Sequence, residues 1–190
     1  MVEAAPQLAS NRTIIRLADR SDVPAILDYD TQNKLHLAPF EPKKGDDFYT
    51  QSYWCKEVEA RWQAFKSDSS LKLFLFSQDN PKAIAGSINF ANFIRGSFQS
   101  CTLGYSLAAD RQSKGYMSEA LKSAIAYVFT QLNLHRIMAA YLPHNQRSGK
   151  LLKRLGFVVE GYACDYLMIN GQWQDHILTS LTNRNWKLMI

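Results

Sequence analysis

Cysteine, proline and glycine are all scarce in this chain: three, six and nine respectively among 190 residues. Cys55, Cys101 and Cys164 are odd in number and widely separated, with no CxxC pair and no cysteine–histidine spacing. That excludes a disulfide framework and a zinc site written into the sequence, and it points to a reducing compartment. The histidines, His36, His135, His144 and His176, have no partner at ligand spacing, so structural roles and no metal are expected. Long apolar runs are missing too. Leu73 to Phe76 and Ile137 to Leu142 are far too short to span a bilayer, and Met1 to Arg12 holds no stretch fit for a signal peptide, so a soluble cytoplasmic protein without a membrane partner is expected. No repeat, low-complexity tract or Pro/Gly-rich linker divides the chain, which reads as an N-terminal extension over 1–12 and a single domain over 13–190. The net charge of +5 comes from dispersed residues, 22 Lys and Arg against 17 Asp and Glu. It favours polyanionic company but not sequence-specific nucleic-acid binding.

What is present is core. With 46% hydrophobic residues, a chain of this length can bury about 70% of its unfolded surface. Thr13 to Leu17 is a β-branched strand candidate, followed by Ser21 as N-cap of a helix with Asp22 and Pro24 in its first turn, reaching Asp30. Trp54, Val58, Trp62 and Phe65 recur at helical spacing up to Ser67; with Phe74 these aromatics read as core. Leu71 to Phe76, Ala83 to Phe90 and Cys101 to Leu107 form an antiparallel meander. After Gly115 the period changes to a helical stripe through Met117, Leu121, Ala124, Ile125 and Val128, and a strand follows at Arg136 to Tyr141. Asn145 can cap another helix that stops at Gly156, and the chain closes in a hairpin, Val158 to Ile169 and Trp173 to Leu181, turning at Asn170-Gly171. The expected fold is α/β, a mixed and mostly antiparallel sheet of about seven strands flanked by about four helices.

The most informative segment runs from Leu107 to Ala120: a strand that ends, a polar loop with one glycine, and a helix that begins. Backbone N–H groups at a helix start lack internal partners and carry the positive end of the macrodipole, which suits a diphosphate. Gly115 permits a conformation or an approach that a Cβ would obstruct. The plain alternative is an ordinary strand-to-helix turn with Ser118 as N-cap. Downstream, Asn145, Ser148 and Gly156-Phe157 stand in sequence around the next helix.

These two segments together resemble the acetyl-CoA core of the GNAT N-acetyltransferases, whose loop reads Gln/Arg-x-x-Gly-x-Gly/Ala and whose later helix carries Asn-x-x-Ala/Ser and ends in Gly-Phe. Gln112 and Gly115 match, while Met117 departs from the final small residue. Leu37 to Pro42, Asn92 to Phe98, Leu103 to Ser106, His135 to Met138, Pro143 to Gly149, Glu160 to Ala163 and Gly171 to His176 are similar to the Rim-type branch, which acetylates N-termini of ribosomal proteins. The resemblance implies a sheet splayed between the strands after Cys101 and Arg136, where acetyl-CoA inserts. It implies coenzyme contacts at Gln112, Ser113, Lys114, Gly115, Tyr116, Met117 and Ser118, at Asn145 and Ser148, and at Tyr105, Ser106 and Leu107, where a bulge would aim a backbone N–H at the acetyl carbonyl.

Acetyl transfer to an amine needs a neutral nucleophile, a donor for the oxyanion and a proton for the departing thiolate. Many relatives supply that proton from a tyrosine seven residues after the asparagine, where this chain has Leu152. The branch resemblance points instead to Ser148, whose alternative role is a first-turn serine making local bonds. Asn145 would hold the pantetheine amide or the incoming amine, or serve only as a cap. Glu41 and Asp165 are the candidate bases beside an ordered water, each with the alternative of a solvated surface acid. Phe40, Glu41, Arg95, Phe98 and Trp173 are the substrate-cleft candidates. The implied activity is acetylation of the N-terminal α-amine, with alanine first, of a small-subunit ribosomal protein. Two other readings stand beside it: a factor that binds the assembling small ribosomal subunit through its charge, and an acetyltransferase for a small amine.

Overall fold

The computed structural model describes residues 6–188. Its centre is one eight-stranded sheet. In chain order the strands are β1 (Gln7–Ala9), β2 (Thr13–Arg16), β3 (Leu71–Ser77), β4 (Ile84–Ile94), β5 (Ser100–Leu107), β6 (Arg136–Tyr141), β7 (Val158–Ile169) and β8 (Gln172–Thr182). They lie side by side in the order β1-β2-β3-β4-β5-β6-β8-β7. Every neighbouring pair is antiparallel except β5 and β6, which are parallel and joined by a helical crossover. The helices are α1 (Val23–Gln32), α2 (Lys34–Leu37), α3 (Gln51–Lys66), α4 (Tyr116–Thr130) and α5 (Gln146–Arg154).

Eight strands and five α-helices exceed the expected numbers by the shortest strand and the shortest α-helix. β1 and α2 have three and four residues, too few to show a period. β1 falls in the segment 1–12 set aside as an extension, yet it pairs with β2, and Ser123 on α4 donates its hydroxyl to the Ala9 carbonyl at 3.0 Å. Residues 1–5 of that segment lie outside the described residues.

Both faces of the sheet are covered, and β3 shows how. Leu71, Leu73 and Leu75 pack toward α4 with Leu121, Ala124 and Val128, while Phe74 and Phe76 pack on the other face with Val23 and Ile26 of α1 and Trp54 and Val58 of α3. A strand buried on both sides reads as a near-continuous apolar run. Lys72 is the exception, and alternation puts it on the Phe74 face, under α1 and α3.

The first helix starts differently from expectation. A 3-10 turn, Arg20–Asp22, leads into it, and Asp19, not Ser21, caps that turn: the Asp19 carboxylate accepts the Ser21 N–H at 2.7 Å, and the Asp22 carboxylate accepts the Asp19 N–H at 2.9 Å. A carboxylate is the stronger acceptor, and its charge complements the helix start. Arg16 grips Asp22 through both terminal nitrogens, at 2.7 and 2.8 Å, fixing α1 to β2. At the other end of the chain, Asn170 (φ 47°) and Gly171 (φ 80°) make the tight β7–β8 turn as expected.

Candidate active site

β5 and β6 pair only from Ser100–Arg136 to Leu103–Ala139 and then part. Beyond Leu103 the side of β5 that faced β6 has no strand beside it. Ala108 N–H bonds the Ala85 carbonyl at 2.8 Å, whereas the Gln99 carbonyl accepts from His135 and Arg136 on the β6 side, at 2.7 and 3.0 Å. Strand alternation therefore turns the backbone groups of Tyr105 and Leu107 into the opening. The resemblance placed a bulge at these residues, but their register with β4 is unbroken and the shift lies between Ala91 and Ile94. Loss of the neighbouring strand, not a bulge, is what frees the donors.

A cavity of about 590 Å³ fills the opening. Its floor is Tyr105, Ser106 and Leu107; one wall is His36, Leu37, Phe40 and Glu41; the loop before α4 and the inner face of α5 complete it. Of the residues that the resemblance gives as coenzyme contacts, Gln112, Ser113, Gly115, Tyr116, Met117, Ser118, Asn145 and Ser148 line it. Lys114 does not: its ammonium donates to the Asp110 carbonyl at 2.8 Å, and its own carbonyl accepts from Arg12 at 2.7 Å.

Gly115, at φ 87°, turns the loop into α4, and the first intrahelical bond joins Glu119 N–H to the Gly115 carbonyl at 3.1 Å. The N–H groups of Tyr116, Met117 and Ser118 stand ahead of that bond and point out of the helix end. Ser118 is the third helical residue, so it is not the cap. Thr50 caps α3 and Asn145 caps α5 with their side chains, but no side chain caps α4. The helix that opens on the cavity floor thus keeps its first N–H donors unspent. Arg12 braces it, bonding Glu119 at 2.6 Å and lying 4.0 Å over the Tyr116 ring.

On α5, the Asn145 side-chain oxygen accepts the Ser148 N–H at 3.2 Å. The Ser148 hydroxyl meets the Tyr105 hydroxyl at 2.7 Å, joining helix to floor across the cavity. Burial pushes the Tyr105 phenol up to about 12, opposed by the bond to Ser148, so it keeps its proton at neutral pH. Gly149 is required here, because a Cβ would stand 2.8 Å from the Tyr141 ring. Leu152, 1% exposed, belongs to the core. Arg147 donates to the Gln112 side-chain oxygen, and Gln112 Nε2 lies 2.7 Å from His36 Nε2, so the two walls are bridged.

The acceptor-side candidates divide. Phe40 and Glu41 line the cavity, Phe40 with its ring centroid 6.2 Å from that of His144. Asn170 N–H bonds the Glu41 carbonyl at 2.9 Å, tying the β7–β8 turn to this wall. Trp173, more than half exposed, stands beside that turn but outside the lining. Asp165 lies on an irregular, exposed stretch of β7 with φ 47°, its N–H on Asp175 at 2.9 Å, and does not reach the cavity. Arg95 and Phe98 belong to the turn that leads into β5, and the cavity lies at the strand's other end, roughly 25 Å away at the usual rise. The Arg95 guanidinium is taken up by both Asp68 oxygens, each at 2.6 Å, and by the Leu132 carbonyl at 2.7 Å. Sequence reasoning missed His36, Leu37, Leu151 and the cations Arg147, Lys150 and Arg154 in the lining. The 147, 150, 154 spacing, one helical face, was the signal available for the cations. Among the described residues no cluster of His, Cys, Asp or Glu is placed to hold a metal ion.

The sheet thus parts beside a helix start that no side chain caps. The acetyltransferase (GNAT) domain model matches residues 12–158, and the chain belongs to that family. It is 44% identical over 180 residues, 95% of this chain and 92% of the other, to the [ribosomal protein uS5]-alanine N-acetyltransferase of Escherichia coli. The crystal structure of the ribosomal-protein-S5-alanine acetyltransferase from Vibrio fischeri superposes with a TM-score of 0.90 at 38% identity, covering 98% of this chain and all (100%) of that one. Mycobacterium smegmatis RimJ, solved in complex with a CoA-disulfide, gives 0.85 at 26% identity, over 94% and 86% of the two chains.

Proposed function

We propose that this chain transfers the acetyl group of acetyl-CoA to the N-terminal α-amine of a ribosomal protein that begins with alanine. Its partner is that protein, free or in the assembling small subunit, and its place is the cytoplasm; no helix among the described residues is long and apolar enough to cross a membrane. The observation that carries the reading is the meeting, in one cavity, of the unspent N–H groups of α4, the unpaired edge of β5 and the Tyr105–Ser148 hydroxyl pair. The alanine specificity rests on the named substrate of the E. coli and V. fischeri relatives.

Each group has a task in direct transfer. The N–H groups of Tyr116, Met117 and Ser118 hold the coenzyme diphosphate, with Arg147, Lys150 and Arg154 adding charge from α5. Tyr105 and Leu107 offer backbone N–H groups to the pantetheine arm and to the carbonyl oxygen as it becomes an oxyanion. Glu41, on the opposite wall, receives the acceptor's α-ammonium and takes its proton. The neutral nitrogen attacks the acetyl carbon, the C–N bond forms, the C–S bond then breaks, and the second proton of the now-cationic nitrogen leaves to water, which restores the Tyr105 phenol at the end of the cycle. Ser148 gives the thiolate its proton and is resupplied by Tyr105, the stronger acid of the pair. Asn145 sets the position of Ser148 through its N–H.

Acetyl-CoA turnover with an alanine-starting peptide, a serine-starting peptide and a polyamine tests the proposal. The alanine peptide should give the highest kcat/KM. A polyamine used faster than either peptide overturns the reading in favour of a small-amine acetyltransferase.

A further inference from the structure

A buried charge cluster backs the acceptor wall. The Glu41 carboxylate, which lines the cavity, is held by Lys44 Nζ at 2.5 Å. The same ammonium stands 3.8 Å from Oδ1 of Asp30 on α1, whose side chain is only 8% exposed. Oδ2 of Asp30 is buried with no hydrogen-bond partner. A carboxylate oxygen sealed from water without a donor is held at a cost in free energy, and a closer cation would relieve it. Neither neighbouring cation forms an ion pair with Asp30: Arg61 bonds Glu57 through Nε at 2.9 Å and leaves its buried Nη1 without a partner, and Lys72 lies 6.0 Å over the Phe74 ring with its ammonium pushed down to about 8 by burial. Burial likewise pushes the Asp30 carboxyl up to about 6, and Lys44 opposes that shift, so the charge on Asp30 depends on how near Lys44 comes.

Lys44 therefore sits between a carboxylate it satisfies and one it does not. We propose that Lys44 is an exchangeable counter-ion: it rests on Glu41 while the acceptor site is empty and moves to Asp30 when an acceptor α-ammonium takes its place. The move is short, about 1 Å from the present separation to an ordinary charge-assisted contact. The Phe48 ring, 4.3 Å from Nζ, gives the ammonium a surface to slide over. The exchange frees the Glu41 carboxylate to receive the ammonium and the proton that must leave before attack. Asp30 and Lys44 are positioning residues in this scheme, which rests on Glu41 being the acceptor-amine site.

The test is a double-mutant cycle read by steady-state kinetics with an alanine-starting peptide. Asp30→Asn removes the destination at constant size and should raise the peptide KM about tenfold, with kcat and the acetyl-CoA KM within about twofold of wild type. Lys44→Met removes the competitor, so the peptide KM should fall about threefold, and in that background Asp30→Asn should have no further effect. Lys44→Met lies on a loop and reports on the exchange even where Asp30→Asn does not fold. An Asp30→Asn penalty of equal size in both backgrounds, no penalty in either, or a rise in peptide KM with Lys44→Met overturns the exchange and leaves peptide acetylation standing. A wild-type enzyme that acetylates no peptide overturns both.

Discussion

Ser148 and Tyr105 come from helix and strand 43 positions apart, and their 2.7 Å contact gives the site a proton donor that neither residue makes alone. A serine hydroxyl is a very weak acid; bonded to a phenol that stays protonated up to about 12, it can release a proton while accepting another. Leu152 occupies the position from which many relatives present a tyrosine, and it lies in the core, so nothing from that side of α5 substitutes. Ser148→Ala and Tyr105→Phe should each lower kcat by about 10- to 100-fold, with coenzyme affinity near wild type. Because the two hydroxyls act as one unit, the double variant should be no slower than the slower single variant. Single-turnover rates alongside calorimetry with CoA separate the two effects. Unchanged turnover in Ser148→Ala removes the role, and additive losses in the double variant break the relay.

At the scale of elements, the coenzyme site is a strand that has lost its neighbour beside a helix that has no cap. Gly115 links them at φ 87°, a region that an alanine enters at a cost of about 1–2 kcal/mol. Its Cβ would also meet Arg12 Nη2 at 3.2 Å, pressing on the brace that holds the loop. Gly115→Ala should weaken CoA binding about tenfold, measured by calorimetry on folded protein; a lower Tm with unchanged CoA affinity would show that the glycine serves only the fold. This loop was legible because it needs a local pattern alone: a strand, a glycine, a helix period. Asn145, Ser148, Gly156 and the Asn170-Gly171 turn were legible for the same reason. The acceptor side was not, since it is built by contacts across long sequence distances. Nothing near Glu41 announces that Asn170 will bond its carbonyl, and nothing near Arg95 announces that Asp68 and Leu132 will consume its guanidinium. Turn residues such as Arg95 and Phe98 therefore read as cleft residues although they sit at the opposite end of β5 from the cavity. Asp30 was hidden in another way, as one acid in an amphipathic helix whose burial only the packing of α1 against α3 and β4 reveals.

Over the whole molecule, the sheet separates two apolar layers, and the α1–α3 layer holds the charged groups of Asp30, Lys44 and Lys72. That layer supports the acceptor wall, so its ionisation bears on stability as well as on substrate. The Asp30 carboxyl is pushed up to about 6, chiefly by burial, from an ordinary value near 4 in the unfolded chain. Between those limits the folded protein holds a proton that the unfolded chain has released, so stability is fully present below about pH 4 and falls as pH rises through about 6. Above that the contribution is flat. Asp30→Asn abolishes the titration without changing the side-chain size. Its stability relative to wild type should therefore improve by about 2 kcal/mol between pH 4 and pH 7, most of the two-unit shift, reduced for incomplete burial. Urea unfolding of both proteins at the two pH values measures this directly. A difference that does not change with pH would mean that Asp30 is charged in the folded protein throughout, with Lys44 already satisfying it, and the unpartnered oxygen would then give Lys44 no reason to leave Glu41.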